Sequence, residues 1–302
     1  MKFSLFSDFH HSPARFPRAT EADLEIIQKR AEKENVDFII HAGDFTHGPT
    51  INDDFIKMYN DFHIPSYNVL GNHDTDYRSL ADTLKIYNMP HEYYYFDCKG
   101  YRIIVFDPNY CKVDDGYFHY DLGNYYKMPD ARDWIPPEQV EWLRKTIDES
   151  PYPCILIGHG SFERPDGIKN REECMEIFRA ANKKRPHSVL MIINGHYHRD
   201  NFRILDGILH FEINSSSFEW LHGTHECYPE EERASVKNYN HVLGWDDPVH
   251  AIVTVEGTTI TVEGMEGKLH LGVTEEMTGI PTLDQAGRHA VPYVSSMKIT
   301  LH

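Results

Sequence analysis

Six short apolar runs dominate the first two thirds of the chain, and five of the six are followed at once by carboxylate, amide or imidazole residues. The runs are KFSLFS (2–7), VDFIIHA (36–42), SYNVL (66–70), RIIVFD (102–107), CILIG (154–158) and VLMIIN (189–194), and each reads as a strand. Between the first two lies TEADLEIIQKRAEKEN (20–35). Its Leu24, Ile27 and Ala31 recur at helical spacing behind a Thr20–Asp23 capping box. PPEQVEWLRKTIDES (136–150) opens on prolines and repeats the pattern through Val140, Leu143 and Ile147, and REECMEIFRAANKKR (171–185) repeats it again. Strands alternating with helices predict an α/β protein whose helices cover the sheet. Turns at Lys99-Gly100, Asp206-Gly207 and near Gly257 predict three hairpins. The Tyr-, Asp- and Pro-rich segment 108–135 has no period and reads as a long loop, a common form for a lid. Residues 265–302 give no clear element, and no internal repeat is visible.

The polar residues fall just past the ends of the runs. Asp8-Phe9-His10 follows the first, Gly43-Asp44 the second and Gly71-Asn72-His73-Asp74 the third. Gly158-His159 closes the fifth and Gly195-His196-Tyr197-His198 the sixth. In open α/β sheets ligands bind beyond the carboxyl ends of strands, so these side chains converge on one rim. His196 and His198 lie two residues apart, which puts them on one side if the segment stays extended. Alone, that pair fits a surface doublet as well as a pair of metal ligands. Asp44 alone fits a helix cap, and His73 alone a satisfied buried histidine. All five clusters in order favour a metal centre.

Charge and cysteine usage narrow the choice of partners. Thirty basic against 47 acidic residues leave a formal charge of −17, which repels polyphosphate backbones and disfavours nucleic acid as partner. Bound cations offset that charge where they sit, so a small anionic substrate stays compatible with it. No segment approaches the roughly 18–20 apolar residues of a membrane span, and no signal-peptide pattern is visible at the N-terminus. The five cysteines, Cys98, Cys111, Cys154, Cys174 and Cys227, are scattered without CxxC spacing, as expected of free thiols in a reducing cytoplasm.

The order D-x-H, G-D, G-N-H-D, G-H, G-H-x-H from Asp8 to His198 resembles the calcineurin-like metallophosphoesterases. The resemblance implies a four-layer α/β/β/α sandwich of two mixed sheets, with a dinuclear metal centre at the strand ends. Carried over by position, it assigns Asp8, His10 and His198 to one metal, Asn72, His159 and His196 to the other, and Asp44 as the bridge between them. Residues 1–222 would form the core, and 223–302 an extension completing the sandwich, with the tail from 265 unassigned. Oxygen and nitrogen donors without thiolate suit two transition-metal ions such as Mn, Fe or Zn. The implied reaction is hydrolysis of a phosphate ester by in-line attack of a metal-bridging hydroxide. His73 would bind the phosphoryl oxygen and protonate the leaving group, with Asp74 orienting its ring.

One position departs from a branch of that family. Purple acid phosphatases carry a tyrosine ligand three residues after the bridging aspartate, where this chain has His47. His47, Asn109, Tyr110 and Arg164 follow strand ends and are candidate substrate contacts, while His11 reads as structural. His222, His225 and Cys227 raise a second metal site, with an ordinary surface loop the favoured reading. INSSSF (213–218) is a candidate edge of the main site. The expected substrate is a small nucleotide-like phosphodiester, with a phosphomonoester or pyrophosphate as the alternative. A DNA exonuclease is disfavoured by the charge, and a non-catalytic scaffold by the complete ligand set. The oligomeric state is not encoded in any pattern seen.

Overall fold

A computed structural model of the chain describes residues 1–13, 18–48, 52–221, 223, 225–236, 238–278 and 289–302. The strands run β1 (Lys2–Phe6), β2 (Phe38–His41), β3 (Ser66–Tyr67), β4 (Tyr94–Cys98), β5 (Tyr101–Val105), β6 (Tyr110–Val113), β7 (Gly116–His119), β8 (Cys154–Ile157) and β9 (Val189–Asn194). They continue as β10 (Asn201–Leu205), β11 (Ile208–Glu212), β12 (Phe218–Trp220), β13 (Val242–Gly244), β14 (Ala251–Glu256), β15 (Thr259–Glu263), β16 (Met265–Glu266), β17 (Tyr293–Val294) and β18 (Met297–Thr300). One six-stranded sheet has the order β18-β15-β14-β1-β2-β3, the other β10-β11-β9-β8-β5-β4. Within the first, β1, β2 and β3 are parallel; within the second, β5, β8, β9 and β11 are. The remaining pairings in both sheets are antiparallel, so both are mixed.

Two-residue alternation sorts the apolar side chains into three cores. Phe3 and Leu5 of β1 share the central core with Ile103 and Val105 of β5, Ile155 and Ile157 of β8, and Met191 and Ile193 of β9. The alternate residues face outward. Phe6 and Ile39 pack under α1 (Glu21–Lys33), α2 (Asp53–Asn60) and α3 (Leu80–Ile86). Ile104, Leu156 and Ile192 pack under α4 (Pro137–Asp148) and α5 (Arg171–Lys184). The result is the expected four-layer α/β/β/α sandwich. Burial on both faces is why the strands read as continuous apolar runs rather than alternating ones.

Helix α1 follows its sequence closely. Thr20 Oγ1 accepts from the Asp23 amide, and Asp23 Oδ2 accepts from the Thr20 amide. That cap is worth about 1 kcal/mol, and full burial of Leu24 and Ile27 contributes roughly 1.5–3 kcal/mol each. The three hairpins form at Lys99-Gly100, Asp206-Gly207 and Gly257.

Two segments differ from expectation. Residues 108–135 are not a featureless loop: β6 and β7 form a hairpin, and 3₁₀ turns follow at Asn124–Lys127 and Pro129–Ala131. Hairpin contacts among Tyr110, Lys112, Tyr117, His119 and Trp134 replace an apolar period, with Lys112 lying 4.6 Å from the Trp134 ring centre. The run 66–70 pairs only over Ser66–Tyr67, because Asn68 turns to bond His41, Asn60 and the Tyr87 carbonyl. In the tail, β18 joins the first sheet beside β15, β16 pairs β17, and residues 279–288 lie outside the described residues. No helix among the described residues is long and apolar enough to cross a membrane, and all five cysteines are free thiols.

Candidate metal centre

The chain leaves β1, β2 and β9 through left-handed backbone. Asp8 (φ 48°), His10 (φ 52°), Asp44 (φ 50°), His196 (φ 75°) and His198 (φ 50°) all lie in a region that non-glycine residues avoid. Each costs on the order of 1–3 kcal/mol, so the surroundings must hold them there. Main-chain bonds do so: the Asp8 amide donates to the Gly43 carbonyl, and the His10 amide to the Asp44 carbonyl. The His196 amide donates to the Asp8 carboxylate at 3.0 Å. Gly71 and Gly195 permit the close approach, since a Cβ on Gly71 would overlap Asp44, and one on Gly195 would overlap Ser7 and Asp8. These turns replace the extended segment expected over 196–198.

The side chains gather in two groups. In the first, His198 Nε2 lies 3.2 Å from Asp8 Oδ1 and 3.1 Å from His10 Nε2, all buried. In the second, His159 Nε2 lies 3.1 Å from Asp44 Oδ2 and 3.2 Å from His196 Nδ1. Asp44 Oδ2 is also 3.7 Å from His10 Nε2, so this carboxylate stands between the groups. The outer ring nitrogens are occupied: His198 Nδ1 faces the Phe218 carbonyl at 2.6 Å, and His159 Nδ1 the Ala42 carbonyl at 2.8 Å. A carbonyl only accepts, so Nδ1 carries a proton, and Nε2 is the nitrogen left facing inward to serve as the ligand atom once a cation displaces any proton there. Asn72 lines a narrow cleft with His159 and His196, and its Oδ1 is buried without a hydrogen-bond partner among the described residues. Inward ring nitrogens, two carboxylates and an orphaned amide oxygen are a donor set that fits two cations.

Over residues 1–200 the sequence matches the model of the calcineurin-like phosphoesterase family. The chain belongs to the calcineurin-like phosphoesterases. It is thus a metal-dependent phosphoester hydrolase. A dimetal phosphatase from Danio rerio superposes with a TM-score of 0.64 at 13% identity, covering 100% of this chain and 99% of that one. GAP50, the anchor in the inner membrane complex of Plasmodium, gives a TM-score of 0.48 at 14% identity, over 87% of this chain and 84% of its own. At 13% identity the likeness to the Danio rerio phosphatase is one of fold. No curated protein sequence matches the chain.

In this phosphoesterase the buried carboxylates draw positive charge inward. Burial opposes charge on His159, yet Asp44 and Asp8 outweigh it and push its pKa up to about 10. Burial and the neighbouring His159 push His196 down to about 4, and burial holds His10 well below the ordinary histidine value.

His73 sits beside the first group, its ring 5.3 Å from that of His10 and stacked on His47 at 4.1 Å. Its carboxylate partner is Asp76, not Asp74 as expected: His73 Nδ1 to Asp76 Oδ2 is 2.8 Å. Asp74 faces the other way, accepting from the amides of Thr46 and Gly71 and from the Tyr87 hydroxyl. It is the brace of the 71–75 turn. A 3₁₀ turn over Asn72–Thr75 brings residue i+3, rather than the next residue, beside the imidazole. Burial and the Asp44 charge push Asp74 up to about 7. Burial presses the His73 pKa down, but Asp44 and Asp76 outweigh it and hold it above the ordinary value.

The remaining candidates separate clearly. His47 lies against His10, His73 and Asp76. Asn109 lines the cleft with Asn72 and His196 while its Nδ2 donates to the Leu70 carbonyl. Tyr110 instead bonds Glu92. Arg164 is buried behind the 195–198 turn, its guanidinium 3.9 Å from the Tyr197 ring centre and bonded to Asp166 and Glu212. His11 is structural, stacked 3.7 Å from Phe55. The 213–218 segment does edge the site, with Ser215 and Ser217 hydroxyls donating to the Asp8 and Phe9 carbonyls. His222 lies outside the described residues, and His225 and Cys227 join none of the metal-competent groups among those described. Sequence reading missed Asp76, Tyr125, Tyr126 and Trp220. Only Asp76 had a signal, the three-residue step from His73.

Proposed function

We propose that this phosphoesterase hydrolyses a small, nucleotide-like phosphodiester at a dinuclear centre. Asp8, His10 and His198 would hold one cation, Asn72, His159 and His196 the other, and Asp44 both. The observation that carries this reading is the position of Asp44 Oδ2, within 3.1 Å of one imidazole group and 3.7 Å of the other. Two divalent cations there supply charge for a phosphoryl group and lower the pKa of a water nucleophile.

The chain's own residues then handle binding and protons. Asp76 engages Nδ1 of His73, which leaves Nε2 for substrate. That carboxylate favours the protonated form of the ring, as required of a donor to a phosphoryl oxygen or a leaving alkoxide. Trp220 and the exposed Tyr126 lie 6.3 and 6.4 Å from the His73 ring, so a leaving group there meets aromatic faces on which a base can stack. The −17 formal charge favours a small substrate over a polynucleotide. His47 contacts the same substrate portion, Asn109 the cleft side, and Arg164 supports the 195–198 turn instead of touching substrate.

The test compares initial rates on a chromogenic phosphodiester and its matching monoester after metal stripping and reloading with Mn²⁺. A strong diester preference is expected. A strong monoester preference overturns the substrate assignment, and absence of metal uptake overturns the ligand assignment.

A further inference from the structure

The Tyr125 hydroxyl is a branch point between the two halves of the site. It lies 2.8 Å from Asp76 Oδ1 and 3.2 Å from Asn72 Nδ2. A carboxylate oxygen only accepts, so the single phenol proton goes to Asp76. The phenol oxygen is then an acceptor toward Asn72, and only the NH₂ end of that amide can satisfy it. Turning the amide over would set oxygen against oxygen at Tyr125 and point NH₂ at the cleft shared with His159 and His196.

The tyrosine is itself firmly placed. It is 1% exposed, and its ring stacks 4.5 Å from that of Tyr120, whose hydroxyl donates to Asp133. The main chain just before it is tied to the His73 turn, with the Gly123 amide on the Thr75 carbonyl and the Leu122 amide on the Arg78 carbonyl. Among the described residues, Asn72 Oδ1 has no hydrogen-bond partner that would choose an orientation from the other end.

We propose that Tyr125 is a positioning residue that fixes the amide orientation of Asn72 and so presents Oδ1 to the metal site. The inference rests on the ligand reading of Asn72 given above. It makes the 108–135 segment part of the metal centre without supplying a ligand to it.

The experiment is a Mn²⁺ titration of the metal-free full-length protein, read as bound metal, with thermal melts to establish that each variant is folded. Tyr125→Phe is expected to weaken the binding of one of the two equivalents about tenfold. Tyr126→Phe is the comparison, because that hydroxyl touches Asp76, His73 and the Tyr125 hydroxyl but not Asn72, and its Mn²⁺ affinity should stay as in the wild type. In an Asn72→Asp background Tyr125→Phe should no longer matter, since a carboxylate presents oxygen from either orientation. Tyr125→Phe binding both equivalents like the wild type overturns the proposal. So does an equal loss in Tyr126→Phe, or a full loss persisting with Asn72→Asp. A wild-type protein that binds no Mn²⁺ would instead overturn the ligand reading itself.

Discussion

Two regions meet at Asn72 and His73, and they are built in opposite ways. The strand-end loops after β1, β2 and β9 are short, buried and left-handed, and they deliver most of the candidate ligands directly. Segment 108–135 is a long excursion outside the two large sheets, and what it brings to the site is the Tyr125 and Tyr126 hydroxyls and the Asn109 amide. In the first region the backbone is forced into place by glycine contacts and carbonyl bonds. In the second a tyrosine pair is docked on a turn that already exists. On the proposed reading, chemistry is placed on the strand ends and its alignment is left to the added segment.

The contrast can be broken or sharpened by substitution. His73→Ala removes the proposed proton donor and should lower turnover roughly 10²–10⁴-fold with metal content unchanged, by kinetics alongside metal analysis. Loss of metal in that variant would merge the two roles kept apart here. Gly195→Ala forces a methyl against Ser7 and Asp8 and should destabilise the fold by about 1–3 kcal/mol in denaturant melts, lowering metal affinity as well. An unchanged melt would mean the strand-end loops are less constrained than their contacts require.

The added segment should instead respond to pH. His119 Nε2 meets Asp107 Oδ2 at 2.6 Å. Burial presses the His119 pKa down, but Asp107 outweighs it and holds the value above 6.5. A folded-state pKa raised in this way gives stability that is complete below 6.5 and is lost as pH rises through the elevated value. His119→Gln should therefore cost about 1 kcal/mol at pH 6 and less at pH 9, by melts at the two pH values. An equal cost at both would show that the pair is held uncharged. The smallest effect belongs to the hairpin's outer face: Phe118→Ser, at a side chain 53% exposed, should shift stability by no more than about 0.5 kcal/mol.

The layers were legible because they rest on local rules, and the gathering of the candidate ligands because the order of their motifs resembles a known family. Leu24, Ile27 and Ala31 announce a helix face, and Gly195 before two histidines announces a turn at a strand end. Their backbone was not legible: the left-handed φ at His196 and His198 arises from bonds to residues far away in the chain, such as Asp8 and Phe218. Asp74 was misread because adjacency in sequence was taken for adjacency in space, whereas the 3₁₀ turn brings Asp76 to the ring. Tyr125 could not be found at all, since its partners lie 49 and 53 residues away and its own segment has no period. Short helices α2 and α3 escaped notice for a related reason, each offering barely two turns of pattern.

The most direct measurement is the Mn²⁺ stoichiometry of the wild type, His196→Ala, His198→Ala and the double variant, each stripped and reloaded under the same conditions. Two cations bridged by Asp44, with one of these histidines on each, predict two tightly bound equivalents in the wild type, one in each single variant and none in the double. Two equivalents surviving in both single variants, or fewer than two in the wild type, would contradict the dinuclear assignment.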